Sequence, residues 1–128
     1  MPITEALRLR SEHVLEKLME SLPGLSAAVL ASSDGFEVAA RGCEGAEVAK
    51  LAAMACSISA IGAMAGSESG IGQYRSLTID ADEGFILIME VANPDFPMIL
   101  NLVVAHSEML GQVLYLAKRS VGNLAQPV

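Results

Sequence analysis

The chain is 128 residues long and sets eight Lys or Arg against fifteen Asp or Glu, a formal net charge of −7. That balance is unsuited to nucleic acid, which is held by basic patches that displace counterions, and three Phe, two Tyr and no Trp leave little for base stacking. Hydrophobic residues make up 52% and mean hydropathy is +0.47, so surplus apolar surface must be covered by a membrane or by a partner.

The length fits one domain, expected over 1–128 with its core at about 3–124, and is enough to bury a core without disulfide or metal. Cys43 and Cys56 form neither a CxxC pair nor a zinc pattern, and no cofactor is expected. The apolar runs at 85–89 and 98–105 (the latter interrupted by Asn101) are of strand length. Glu5, Arg8 and Arg10 fall where a secretory signal needs apolar residues. The expectation is a cytoplasmic protein without membrane insertion, whose spare apolar surface meets another protein.

In chain order, Ile3, Leu7, Val14, Leu18 and Leu22 recur at helical spacing and predict an amphipathic helix that Pro23-Gly24 stops. Residues 25–32 and 36–41 predict two strands joined by Ser33-Asp34-Gly35, because a tight hairpin turn needs positive φ. From 44 to about 66 a second helix is apolar nearly all round. One stripe is Val48, Leu51, Ala55, Ile58, Gly62 and Ala65, and the other is Lys50, Met54, Ser57, Ile61 and Met64. Its Ala, Gly and Ser content lets another backbone come close. A loop at 66–70 leads to strands at 71–80, 85–91 and 98–105. Ser107 is expected to cap a last helix with Glu108 in its first turn, Lys118-Arg119 near its end, and Leu110, Val113, Leu114, Ala117, Val121 and Leu124 inward. The tail from Ala125 is expected to fray.

The order α-β-β-α-β-β-β-α merges into one α/β sandwich if the first and fifth strands pair. That gives an antiparallel sheet ordered 2-1-5-4-3 with one helix on one face and two on the other. Strands four and five, apolar at almost every position, suit covered positions, and strand three suits an edge. An uncovered edge beside a helix with a bare apolar side is a liability. A two-fold dimer, through Leu51, Met54, Ala55, Ile58, Ile61, Gly62, Gln73, Arg75 and Leu77, would cover both. A charge at Ala55 or Ile61 is then expected to break it.

The succession Leu22-Pro23-Gly24-Leu25-Ser26-Ala27-Ala28-Val29-Leu30, Asp34-Gly35-Phe36, the small-residue helix around 52–65, the strand at 72–78 and Ile99-Leu100-Asn101-Leu102 resembles the Roadblock/dynein-light-chain family, a branch of the profilin-like folds. The likeness covers about residues 10–122. It implies a homodimer, or a heterodimer with a paralogue, that binds a small Ras-like GTPase and does no chemistry itself. The short form is similar to bacterial members. It implies a GTPase-binding surface in 47–64, here Glu47, Lys50, Met54, Ser57 and Met64, and no catalytic residue.

Other patterns weigh less. The stretch 66–72 follows a helix and has no Lys, unlike a phosphate loop. Asp80-Ala81-Asp82-Glu83-Gly84 has its Gly one place early for a calcium loop and Val91 where the loop needs Glu. His106, Ser107 and Glu108 are chain neighbours and face apart, so they make a poor catalytic set, and His13 suits the surface. Arg41 and Arg75 are the candidates for an arginine finger, with Arg75 better read as a solvent-side or dimer-bridging residue. A small-molecule sensor with Asn101, Ser57 and Ser59 inside the core, and a structural light-chain-like clamp, are the other functions of this fold.

Overall fold

The structure, a computed structural model, describes residues 3–128. Three helices and five strands follow one another as α1 (Glu5–Ser21), β1 (Leu25–Ser32), β2 (Glu37–Arg41), α2 (Ala46–Glu68), β3 (Leu77–Ala81), β4 (Gly84–Val91), β5 (Met98–Ala105) and α3 (Leu110–Leu124). The strands form one antiparallel sheet in the order β2-β1-β5-β4-β3, the order expected from merging hairpin and meander. α1 and α3 lie on one face and α2 on the other.

Alternation along the strands divides the core in two. Leu30, Leu87, Met89, Leu100, Leu102 and Val104 point toward α1 and α3, joining Leu7, Val14, Leu15, Leu18, Val113 and Ala117 in the larger cluster. Val29, Ala31, Ile88 and Ile99 point toward α2 and meet Val48, Ala52 and Ala55. β5 is buried along nearly its whole length because it sits in the middle of the sheet with a helix layer on each side.

Several segments depart from the expected boundaries. β3 starts at Leu77 and not at Ile71, so Gln73 and Arg75 lie on a connector outside the ladder. Gly70 and Gly72 adopt φ of 70° and 90°, and the Gly66 carbonyl accepts from Ile71 N (3.0 Å) and Gly72 N (3.2 Å). Those bonds curl 70–72 back over the end of α2 and prevent extension there. α2 itself continues past Gly66 to Glu68, since one glycine costs a helix only about 1 kcal/mol relative to Ala. β2 begins one residue late, after the turn in which Gly35 takes φ 93°.

α3 starts at Leu110, later than Ser107 suggested, and its N-cap Met109 makes no side-chain capping bond. Glu108 is drawn away: its Oε2 accepts from the Gly24 backbone N at 2.6 Å, tying the α1–β1 turn to the exit of β5. Lys118 and Arg119 therefore lie mid-helix, and Leu110 is exposed. The tail is held, not frayed. Arg10 donates to the carbonyls of Gln126 (2.7 Å) and Pro127 (3.2 Å), and Asn93 Nδ2 donates to Leu124 O at 2.9 Å.

α2 is long and apolar enough by composition to cross a membrane, which a search for unbroken apolar runs overlooked. Its inward residues are seated on the sheet, as the core helix of an α/β fold would be.

A Cβ added at Gly66 would stand 2.0 Å from the Gly72 carbonyl oxygen, a backbone atom with little room to move. Gly66→Ala is therefore expected to destabilise the protein by about 2 kcal/mol despite better helix propensity. Urea unfolding checks this; an unchanged or higher midpoint would mean the 66–72 contact is loose.

Candidate interaction surface on α2

The helix divides lengthwise. Val48, Ala52, Ala55, Ser59, Gly62 and Gly66 are buried. Leu51, Ile58 and Leu77 are half-buried against the same clusters. On the outward side stand Met54 (44% exposed), Ile61 (64%) and Met64 (63%), with Glu47, Lys50 and Ser57 exposed between and beside them. Small residues Ala49, Ala53 and Ala60 are exposed on the same helix. Beside its far end lie Ile71 (82%) and, on the edge strand β3, Ile79 (42%). This is a continuing strip of apolar surface with few charges, bounded by a sheet edge whose outer hydrogen-bonding groups have no partner strand.

Of the residues expected at a dimer interface, Met54 and Ile61 are on this strip. Ala55 and Gly62 are not, because they face the chain's own sheet. A Cβ at Gly62 would lie 2.6 Å from Leu77 Cδ1 and 3.1 Å from Tyr74 Cδ1. The small residues on this side of the helix thus admit the chain's own 72–77 segment, not another molecule's helix. Leu51, Ile58 and Leu77 are mainly internal packing with partial exposure. Gln73 is exposed and donates to Glu90 Oε2 at 2.5 Å, and Arg75 is exposed beside the start of β3. All five residues expected to meet a GTPase, Glu47, Lys50, Met54, Ser57 and Met64, are on the outward side. The strip thus brings the two expected surfaces together on one helix.

Arg41, one arginine-finger candidate, is engaged: its Nε lies 2.8 Å from Glu16 Oε2, and its guanidinium is 3.8 Å from Glu12. His106 Nε2 sits 2.6 Å from the Ala81 carbonyl and 3.5 Å from Asp80 Oδ1, and does not meet a nucleophile. Among the described residues no group of three or more His, Cys, Asp and Glu could hold a metal ion. Asn101 lies under α2, where its Nδ2 donates to Leu51 O at 3.2 Å while its Oδ1 has no partner. Two clefts are open to solvent: about 230 Å³ beside α2 near Cys56 and Ser59, and about 330 Å³ between α1 and α3.

Ser59 is buried as expected while Ser57 is exposed, and sequence reasoning missed Tyr74, whose hydroxyl is hydrogen-bonded to that of Ser59. That bond fastens the 71–76 connector to α2 and so sets where Ile71 and Arg75 stand. A lone Tyr after a glycine pair was the available signal. Burial pushes the Tyr74 phenol above its ordinary 10.0, the Ser59 hydrogen bond works against this, and Glu90 adds to the rise.

The three-layer arrangement, a five-stranded antiparallel sheet between one helix and two, is the profilin-like class of α/β sandwich. The chain belongs to the Roadblock/LC7 domain family, whose model matches residues 12–100. No curated protein matches it in sequence. Among solved structures, the Roadblock/LC7 domain from Streptomyces avermitilis superposes with a TM-score of 0.80 at 19% identity, covering 88% of this chain and 92% of that one. An MglB with a tetrameric arrangement gives 0.83 at 21%, covering 96% and 90%. LokiProfilin2, solved in complex with rabbit actin, gives 0.61 at 14%, covering 98% and 100%. At these identities the likeness is one of fold.

Two expectations follow. Ala55→Arg places an unpaired charge between helix and sheet, so it should abolish folding or lower stability by at least about 3 kcal/mol at any protein concentration, seen as a loss of cooperative thermal unfolding by circular dichroism. Tyr74→Phe should destabilise the protein at neutral pH. Because the folded state holds the phenol proton more tightly than the unfolded chain, that contribution is whole below pH 10.0 and is lost as pH rises through the raised folded value. The stability gap between wild type and Tyr74→Phe should therefore narrow as pH rises past 10.0 in urea titrations. A gap that widens would contradict the burial of this phenol.

Proposed function

We propose that this chain is a non-catalytic, dimeric docking module that binds a small Ras-like GTPase through the outward face of α2 and modulates its nucleotide cycle in the cytoplasm. The observation that carries the reading is the outward face of α2: mostly small residues lie closest to the sheet, while the large apolar Met54, Ile61 and Met64 face out. Large apolar side chains left in water on an ordered helix are expected to be covered by a partner. Membership of the Roadblock/LC7 family supports this reading, since the resemblance implies GTPase partners and paired subunits. The tetrameric arrangement of the similar MglB supports self-association as a property of the fold.

In the proposed dimer, β3 lies beside its copy across a two-fold axis and the two α2 helices approach through Ala53, Ser57, Ala60 and Ile61. The outer ends, with Glu47, Lys50 and Met64, remain for the GTPase. The protein's part is to hold the GTPase's own residues in place, with Arg41 engaged by Glu12 and Glu16 and the exposed Arg75 read as a solvent-side or dimer-bridging residue.

Light scattering during size-exclusion chromatography should give twice 13.4 kDa for the wild type and 13.4 kDa for Ile61→Asp, with the variant still folded. A wild-type monomer would remove the dimer from the proposal. Binding to a panel of Ras-like GTPases should depend on the bound nucleotide. Equal affinity in the GDP and GTP states for every member, or no binding at all, would overturn the GTPase reading even if the dimer holds.

A further inference from the structure

The face of the sheet opposite α2 carries a surface of different chemistry. α1 and α3 run antiparallel there, as Arg10 reaches the carbonyl of Asn123 near one end and Glu108 reaches Gly24 at the other. Between them lies the open groove of about 330 Å³. Half-buried Leu116 and the outer edges of Val14 and Leu18, otherwise buried in the core, give it a narrow apolar floor, while His13 and Lys17 stand on the α1 wall and Arg119 on the α3 wall. No acidic residue lines it, in a chain with fifteen acids and eight Lys or Arg.

This segregation is built into α1. Its Glu5 and Glu12 pair with Arg8, and Glu12 and Glu16 pair with Arg41 of β2, so these acids face the β2 edge, while the exposed Glu20 lies outside the groove lining. His13 and Lys17, one turn apart, fall on the other flank, toward α3. Among the described residues, neither Lys17 nor Arg119 takes part in an ion pair. The Arg119 guanidinium lies 5.8 Å over the ring of Tyr115 one turn earlier, which steadies it beside the groove.

We infer that this groove docks an acidic amphipathic helix of a partner protein, with apolar side chains on Val14, Leu18 and Leu116 and carboxylates against Lys17 and Arg119. The chemistry selects this occupant. A cleft flanked by cations along an apolar floor matches a helix with one apolar stripe and acidic shoulders. A net charge of −7 repels an anionic membrane. A small free anion would find no buried charge, since Lys17 and Arg119 are exposed. A second copy offers Asp80 on β3 and Asp82 and Glu83 on the β3–β4 turn, which lie on no helix, and the acids of its α1 flank an apolar stripe already buried in its own core. The inference is independent of the α2 surface.

The test is fluorescence anisotropy with a labelled synthetic helix of about four turns, Leu on one stripe and Glu on its flanks, against the same peptide with Lys in place of Glu. The Glu peptide should bind saturably at low salt and more weakly as salt rises. Arg119→Glu and Lys17→Glu should each weaken it by about tenfold or more. Lys118→Glu makes the same charge change one residue away but outside the groove lining, and should alter binding less than about twofold. The milder Lys17→Gln with Arg119→Gln should give an intermediate loss, a readout that survives if either reversal perturbs the fold. No saturable binding, equal binding of the Lys peptide, or equal effects of Lys118→Glu and Arg119→Glu would overturn the inference. If the charge reversals instead lower the molar mass of the protein alone in light scattering, the occupant is a second copy and the separate partner is refuted.

Discussion

The outward face of α2 depends on how closely its inward face lies on the sheet. Ala52, Ala55, Ser59 and Gly62 leave almost no side-chain thickness between helix backbone and strands β1, β5 and β4, and Asn101 Nδ2 bonds the Leu51 carbonyl from below. Most amphipathic helices bury their large apolar residues and expose small or charged ones. α2 does the reverse because the space beneath it is already filled by Val29, Ile88 and Ile99 of the sheet. Val48 fits beneath the helix and Leu51 and Ile58 fit in part, but Met54, Ile61 and Met64 are left outside. The apolar strip is thus a consequence of tight internal packing, and the same packing pulls the 71–76 connector onto Gly62 and Gly66, extending the strip to Ile71.

Periodicity made much of this legible. Leu7, Val14, Leu18 and Leu22 marked the buried side of α1, and the uniformly apolar β4 and β5 marked positions covered on both faces, which fixed the sheet order once a hairpin and a meander had to share one sheet. The two stripes of α2 were also legible as stripes. Which one faced the sheet was not, because a row of Ala and Gly suits close approach by any backbone, the chain's own or a partner's. Ala55 and Gly62 were placed at an interface for that reason, and what they meet is Ile88 and Ile99 of the sheet for Ala55, and Leu77 and Tyr74 for Gly62.

The remaining departures share a cause: a local signal was overridden by a bond to a segment distant in sequence or by a loop conformation. Ser107 and Glu108 have the composition of a helix start, yet the Glu108 carboxylate satisfies Gly24 N across the molecule, and the helix begins two residues later without a side-chain cap. Ile71, Gln73 and Arg75 alternate like a strand, but positive φ at Gly70 and Gly72 turns the chain before pairing can begin. The tail has the look of a loose end, yet Arg10 and Asn93 hold its carbonyls. Single-sequence patterns report what a segment prefers alone, and these segments settle according to what they reach.

The two surfaces sit on opposite sides of a sheet that is covered on both faces, and they differ in kind. The α2 strip is apolar, so its contacts should be governed by area and fit and be little affected by salt. The α1–α3 groove is flanked by unpaired cations, so salt should act chiefly on rate and specificity of association there. Coupling between two sites requires an element with two arrangements that both sites bias. β1, β4 and β5, which separate them, are packed between helices on both sides. A ligand on one face should therefore leave affinity on the other unchanged, and under the proposed function the molecule would join two partners by position alone, a GTPase on α2 being kept near whatever the groove holds. Any cooperativity between them would have to arise through α2-mediated pairing of subunits, because pairing duplicates the groove and raises its avidity for a partner that offers two acidic helices.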